Sequence, residues 1–416
     1  MRTLNEEIKY YLNRDVSPQQ KDNETFKKLV AYFPVASYPE QTGTAHDLTT
    51  MVGQTIEGTY LVGSIRQTPK QLSFDLSNQV ETLKGKMWLS NLGDVDGYVA
   101  NLEQASSVHI RGKVNEYKGF YSVMVDDLDI LSAAQTDPAD FLETATEIEA
   151  ARDNFVIYFA SLSAPYKQLV NDLIGGDMWE LYSTAVAAKG NHHNYLGGLL
   201  VHSMEVLKVA YTMANAFKKE GFDKGSASLR SIYDFMNDIK WKGNDLVLEH
   251  DLRFNKFGDD TDHTNEYIHK IRKYCMDHPD TFQDEIDLNT IIAGTMLHDM
   301  GKICEYRFAG EDTARKLSFM LTGDTKVYQN QTLSAIDMDE FGARFGHIQL
   351  GTMKLYNYFE TTEIELPLKK QHDLISMVAT HHAKGEWGSP TAPQTLNEMF
   401  LHLADYVNSR MMSYMG

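Results

Sequence analysis

Between Thr55 and Leu131 apolar and polar residues alternate in short runs, TIEGTYLVGSIRQ, QLSFDLSNQ, LKGKMWLS and SSVHIRGKVNEYKGFYSVMVDDLDIL, broken by Gly, Asn and Asp. A period of two turns one side of each run toward a core, so the region predicts about five strands. Short strands leave unpaired edges unless the sheet closes. A small barrel of the OB type is one closure of this length, and it offers a face to single-stranded nucleic acid. After SAAQTDPADFLETA the apolar spacing becomes helical and stays so. ADFLETATEIEAARDNFVIYFASL, YKQLVNDLIGGDMWELYSTAVAAKG, YLGGLLVHSMEVLKVAYTMANAF, LNTIIAGTMLHDMGK, HIQLGTMKLYNYFE, QHDLISMVATHH and QTLNEMFLHLADYVNSRMM all read as helices. A polar, charge-rich stretch at about 218–287 has weak helical periodicity and reads as an insertion between two core helices.

The pattern therefore predicts a multidomain α+β protein: an OB-type barrel over 50–133, then an all-α domain over 134–416 carrying the insertion. Residues 1–49 are amphipathic and receive no assignment. A length of 416 residues agrees with two or three domains. No run approaches the roughly 18 apolar residues of a membrane helix, and MRTLNEEIKYYLNRD has no apolar signal-peptide centre, so the expectation is a cytoplasmic protein without a membrane partner.

Charge and cysteine count narrow the chemistry. A formal charge of −19 argues against blanket neutralisation of phosphates, though not against a local basic groove or metal-mediated phosphate binding. With only Cys275 and Cys304, neither a disulfide framework nor a thiolate zinc site is available. Any metal must be held by nitrogen and oxygen.

Several of the 15 histidines stand on or at the ends of apolar helices, where solvated histidines are not expected: His192, His193, His202, His298, His347, His381 and His382, with Asp299 and Asp405. Imidazoles and carboxylates converging from separate helices suit a divalent cation. Each has a plainer reading. His202, in GLLVHSMEV, fits a hydrogen-bonded core residue as well as a ligand, and Asp405, between Leu403 and Tyr406, fits a salt bridge. His402 is a supporting or surface residue, and His347 is a ligand or a helix cap. In LHDMGK, His298 and Asp299 are turned about 100° apart and so bracket a cation at the helix end rather than share a face. Gly301 is expected to end that helix and free Lys302 to reach an anion.

The order H, HD, H, HH, D at 202, 298 and 299, 347, 381 and 382, and 405 is more specific than any member. In it the chain resembles the HD superfamily of metal-dependent phosphohydrolases, and more closely the YhaM-type 3'-5' exoribonucleases, which join an OB-fold to an HD domain. GKMWLSN and VHIRGKVNEYKGFYSVMV look like the OB portion, AAKGNHHNYLGGLLVHSMEV like the entrance to the HD domain, and HHAKGEWGSPTAPQTLNEMFLHLADYVNSRM like its end. The resemblance implies that His202, His298, Asp299 and Asp405 are the core metal ligands and that His347 and His381 complete a second site. It makes Asp299 the bridging carboxylate, Lys302 a catalytic phosphate contact, and His382 either a ligand or a catalytic contact to substrate. His192 and His193 match the NHH motif, with a structural or substrate-binding role. Two departures stand out: 96 residues separate His202 from His298, where the family usually has no insertion, and Ala383 follows the paired histidines where glycine is usual.

The implied reaction is hydrolysis of phosphodiester bonds in single-stranded RNA, with single-stranded DNA also allowed, by water activated between two divalent ions. Manganese is favoured, and Fe²⁺, Co²⁺ or Mg²⁺ also suit such ligands. Trp88, Tyr117, Phe120 and Tyr121 are candidate stacking residues and Lys86, Lys113 and Lys118 candidate backbone contacts on the barrel, and Trp387 is a further stacking or loop-anchoring residue. The alternatives are an HD nucleotidase or cyclic-nucleotide phosphodiesterase, and a binding protein without turnover. The insertion leaves room for a homo-oligomer interface.

Overall fold

The alternating runs pair as strands β1 (Thr55–Gln67), β2 (Gln71–Ser77), β3 (Thr82–Trp88), β4 (Ser107–Tyr117) and β5 (Phe120–Leu131). They form a closed barrel in the order β1-β2-β3-β5-β4, antiparallel except where β3 meets β5. The computed structural model describes residues 21–36, 45–103, 105, 107–190, 193–247, 252–311 and 335–411. The longest of the four predicted runs divides into β4 and β5 at Lys118 and Gly119, whose φ angles of 53° and 80° make the turn. Inward positions such as Leu72, Phe74 and Leu76 fill the barrel, with Tyr60, Ile110, Val114 and Val123 from the other strands. Irregular registers between Gly63 and Arg66 and at Arg111/Gly112 bend the strands, as closure requires. Helix α1 (Glu24–Tyr32) and helix α2 (Val95–Glu103) were not anticipated. Leu102 is the only fully buried residue of α2, so no helical stripe betrays it.

The N-terminal segment packs on helices. Phe33, just after α1, sits in an aromatic cluster with Phe155, Phe159 and Trp179, and the Trp179 indole donates to the Pro34 carbonyl at 2.5 Å. Those partners lie on α3 (Ile148–Ser161) and α5 (Asp177–Thr184), with α4 (Ala164–Ile174) between them. Next come α6 (Gly198–Asn215), α7 (Phe222–Val247), α8 (Leu252–Asp277), α9 (Leu288–Leu297), α10 (Glu340–Thr361), α11 (Leu368–Thr380) and α12 (Leu396–Met411). The expected insertion is thus a hairpin of two 26-residue helices, α7 and α8.

The expectation of an all-α region needs correction. Strands β6 (Tyr306–Phe308) and β7 (Ile336–Met338) pair antiparallel, and three-residue strands are too short to show an alternation.

Helix α9 occupies the centre, with Thr290 to Leu297 all buried. Its start is held by Asp287, whose carboxylate accepts from the N–H groups of Asn289 and Thr290 and pairs with Lys370 at 2.6 Å. Burial pushes the Asp287 carboxyl up, but Lys370 and the helix N–H groups outweigh it and hold it below the ordinary carboxylate range. A depressed carboxyl stabilises the fold above its unfolded pKa, and the contribution is lost as pH falls below about 4. Asp287→Ala is expected to lower stability by about 1 kcal/mol at pH 7, with the difference from the parent chain shrinking toward pH 3 in thermal melts. An equal deficit at both pH values would show that the carboxylate charge is not what matters.

Candidate metal centre

Asp299 lies just past the end of α9, fully buried, and its two oxygens address two sets of imidazoles. Oδ2 is 3.1 Å from His202 Nε2 and 3.3 Å from His298 Nε2, and Oδ1 is 3.4 Å from His347 Nε2 and 3.5 Å from His381 Nε2. Asp405, from α12, places Oδ1 3.2 Å from His202 Nε2 and Oδ2 3.7 Å from His382 Nε2. Three overlapping groups bring donor atoms within 4.8 Å of one another: His202, His298 and Asp299; His298, His381 and Asp405; and His347, His381 and His382. Such buried groups are able to hold a metal ion.

The outer face of each ring tests the fit. Nδ1 of His202 meets Asn408 Oδ1, that of His298 the Thr295 carbonyl, that of His347 Glu305 Oε2 and that of His381 the Val378 carbonyl, each at 2.7 Å; His382 Nδ1 meets the Trp387 carbonyl at 2.8 Å. These oxygens can only accept, so every ring carries a proton on Nδ1 and turns Nε2 inward. The Nε2 atoms of His298, His347 and His381 are buried and make no hydrogen bond. Inward lone pairs that converge within these overlapping groups, with their tautomers set from behind, are what a cation requires.

Electrostatics agree. Burial would raise the carboxyls of Asp299 and Asp405, but their neighbours, His298 and the Lys302 ammonium for the first and His202 for the second, hold both well below the carboxylate range. For His202, burial favours the neutral ring, yet hydrogen bonds to Asp299 and Asp405 lift it to about 9. At neutral pH that imidazole therefore holds a second proton at Nε2, where a bound cation would replace it. Lys302 reaches Asp299 Oδ2 at 2.7 Å, and its ammonium is held above the ordinary lysine value because that carboxylate outweighs the burial penalty. Burial keeps His381 and His382 neutral.

The structure corrects the expected role of Gly301. Helix α9 stops at Leu297, and Gly301 has a right-handed φ of −63°. The residue is small because a Cβ there would sit 2.1 Å from the His347 carbonyl oxygen. His347 does begin a helical segment, since α10 is kinked at Gly346, with φ 68°, and the His347 N–H points to Glu305 Oε1. Ala383 takes a left-handed φ of 64°, a conformation natural to glycine.

His193 is buried, its Nδ1 2.7 Å from the Tyr195 hydroxyl and its Nε2 3.1 Å from Glu205, which also accepts from Asn408. It thus stands behind His202 rather than in the open, while His192 lies outside the described residues. Trp387 packs at 5.6 Å on Tyr406 with Lys384 over its ring, the geometry of a loop anchor. On the barrel, Trp88, Tyr117 and Phe120 are 47%, 62% and 78% exposed, outside the core, and Tyr121 is half-buried. Lys86 and Lys113 both pair across Met124 and so share the outer face, Lys113 exposed and Lys86 half-buried; Lys118 is at the exposed β4–β5 turn. Glu305, Asn408 and Glu205 were not singled out from sequence, since nothing in spacing distinguishes a buried supporting carboxylate or amide from a surface one.

No family model matches the chain. It is 21% identical over 379 residues to the 3'-5' exoribonuclease YhaM of Halalkalibacterium halodurans, covering 86% of this chain and 85% of that one. Over 380 residues it is 20% identical to the same-named protein of Shouchella clausii, with 86% and 85% covered, and over 342 residues 20% identical to that of Bacillus subtilis, with 82% and 78% covered. A solved asparaginyl-tRNA synthetase from Pyrococcus horikoshii aligns with 32% of the chain at 10% identity and a TM-score of 0.19, too low to bear on the fold. The likeness to YhaM-type exoribonucleases therefore extends well beyond the histidine and aspartate motifs. Among the described residues no helix is long and apolar enough to cross a membrane.

Proposed function

We propose that this chain is a metal-dependent 3'-5' exoribonuclease with an OB-fold over 50–133 and an HD domain over 134–416, interrupted by the insertion at 218–287. The observation that carries the reading is the carboxylate of Asp299, whose two oxygens each face a separate pair of inward-turned imidazoles. Relatives named 3'-5' exoribonuclease supply the reaction class.

In this reading His202, His298, Asp299 and Asp405 would hold one divalent ion and Asp299, His347, His381 and His382 the other. Divalent ions held there, Mn²⁺ by preference, would supply a lowered pKa for bound water and neutralise charge on the phosphate. The chain supplies the rest. Asn408, Glu305 and the carbonyls of Thr295, Val378 and Trp387 fix each imidazole in its tautomer. Lys302, already beside Asp299, is placed to meet a phosphate oxygen there and to stabilise the charge that grows on it. Exposed Trp88, Tyr117 and Phe120 offer stacking faces to bases, and Lys86, Lys113 and Lys118 offer cations to the backbone, so that the barrel engages single-stranded RNA.

The test uses a 5'-labelled single-stranded RNA with Mn²⁺. A ladder shortening progressively from the 3' end is expected, with no cleavage after chelation and none of an oligonucleotide blocked at its 3' end. Internal cuts, or turnover of mononucleotides only, would overturn the proposal in favour of an endonuclease or nucleotidase, and a parallel DNA strand measures sugar selectivity.

A further inference from the structure

The inserted hairpin returns polar groups to the back of this centre. On α8, Asp260, His263 and Thr264 are buried although the segment as a whole is polar. Tyr267, Ile271 and Cys275 of the same helix join an apolar cluster with Met377 of α11, Ala383, and Phe400 and Leu403 of α12. Helix α8 of the hairpin therefore packs against α12, which carries Asp405, and reaches the loop after α11 that carries His381 and His382 through His402 and Trp387.

One hydrogen-bonded path connects them. His402 Nδ1 lies 2.6 Å from the carbonyl oxygen of His381, and His402 Nε2 lies 2.9 Å from His263 Nε2. A carbonyl can only accept, so neutral His402 has its proton on Nδ1 and a lone pair on Nε2. His263 must then be the donor between the rings, with its other nitrogen 3.8 Å from Glu266. A second path runs beside it. Asp260 accepts the Tyr406 hydroxyl at 2.6 Å, Tyr406 stacks on Trp387, the His263 ring meets Trp387 edge-on at 5.3 Å, and the Trp387 carbonyl accepts from His382 Nδ1. Each of the paired histidines is thus held through a backbone carbonyl whose own position depends on α8.

We infer that the 218–287 hairpin is a built-in positioning element for the second ion site, with His263 and Asp260 as the positioning residues that fix His381 through His402 and His382 through Tyr406 and Trp387. The inference rests on the two-ion reading above but concerns ion binding, not the identity of the substrate. Replacing His263 by a residue without a donor leaves His402 Nε2 buried and unbonded, and the cheapest relief is a shift of His402 that carries the His381 carbonyl with it.

The experiment titrates Mn²⁺ into the full chain by calorimetry and measures kcat and KM on single-stranded RNA. His263→Leu is expected to bind one ion with the parent affinity and the other roughly 10 to 100-fold more weakly. In subsaturating Mn²⁺ kcat falls while KM for RNA stays, and excess Mn²⁺ restores kcat. His263→Gln, which keeps an N–H at the same place, is expected to recover most of the affinity. Parent affinities for both ions in a folded His263→Leu chain would overturn the inference, as would a Gln variant no better than Leu. Should the Leu variant fail to fold, Tyr406→Phe decides: it keeps the ring on Trp387 and removes the bond to Asp260, and undiminished second-ion affinity counts against the hairpin. Weakened ion binding in a chain that degrades no RNA supports the positioning role and removes the nuclease reading; the reverse result separates them the other way.

Discussion

Replacing Asp299 by asparagine is expected to remove metal-dependent RNA hydrolysis and to lower the affinity for both ions at once. Mutating a partner that merely orients a ligand costs roughly 10 to 100-fold in metal affinity or activity. The loss at Asp299 should exceed that range, because one carboxylate addresses His202 and His298 with Oδ2 and His347 and His381 with Oδ1. Asparagine keeps the shape but offers a single neutral oxygen and cannot serve both sides. Alanine is the poorer test. Both variants strip the carboxylate from the largely buried Lys302 ammonium, but alanine also empties the side chain's volume and leaves no oxygen to accept from Lys302, whereas the asparagine amide oxygen still can. Ion stoichiometry from calorimetry and initial rates on labelled RNA check the prediction. An Asn variant that still binds two ions and retains the parent rate would exclude the bridging role.

Lys302→Ala is expected to separate binding from chemistry. If the ammonium acts on the phosphate, kcat should fall about 10² to 10³-fold, the usual cost of losing one charge-stabilising donor. The ions should bind no more weakly, because the side chain removed is a cation that now occupies Asp299 Oδ2 at 2.7 Å. Weaker ion binding with unchanged kcat at saturating Mn²⁺ would make Lys302 a structural counter-charge only. The contrast with Asp299, where affinity and rate should fall together, makes the two variants a matched pair.

Much of this cluster was legible because buried histidines and aspartates, the residue types able to hold a metal ion, are costly on apolar helices. An aspartate beside Leu403 and Tyr406, or a histidine within GLLVHSMEV, is conspicuous on an apolar helix, and seven such positions in a fixed order are far more telling than one. The strands were legible for a similar reason, since Leu72, Phe74 and Leu76 alternate with polar neighbours all along β2. Helix α2 and the pair β6–β7 escaped because neither is long enough, nor buried on one continuous face, to impose a period. The reason for Gly301 also escaped: a glycine that seemed to end a helix is there because a chain segment 46 residues onward passes against it.

The sequence by itself determined the ligand inventory, since two cysteines exclude a thiolate site and histidine with aspartate remain, and it determined the change from an alternating to a helical region near residue 134. Those are matters of composition and local period, which the backbone must obey wherever the segment lies. Only the tertiary structure decided which nitrogen of each imidazole turns inward, that Glu305 stands behind His347 and Asn408 behind His202, and that the polar hairpin reaches His381 through His263 and His402. Each depends on atoms brought within about 3 Å of one another from positions tens to hundreds of residues apart, a distance fixed by packing and not by any spacing along the chain.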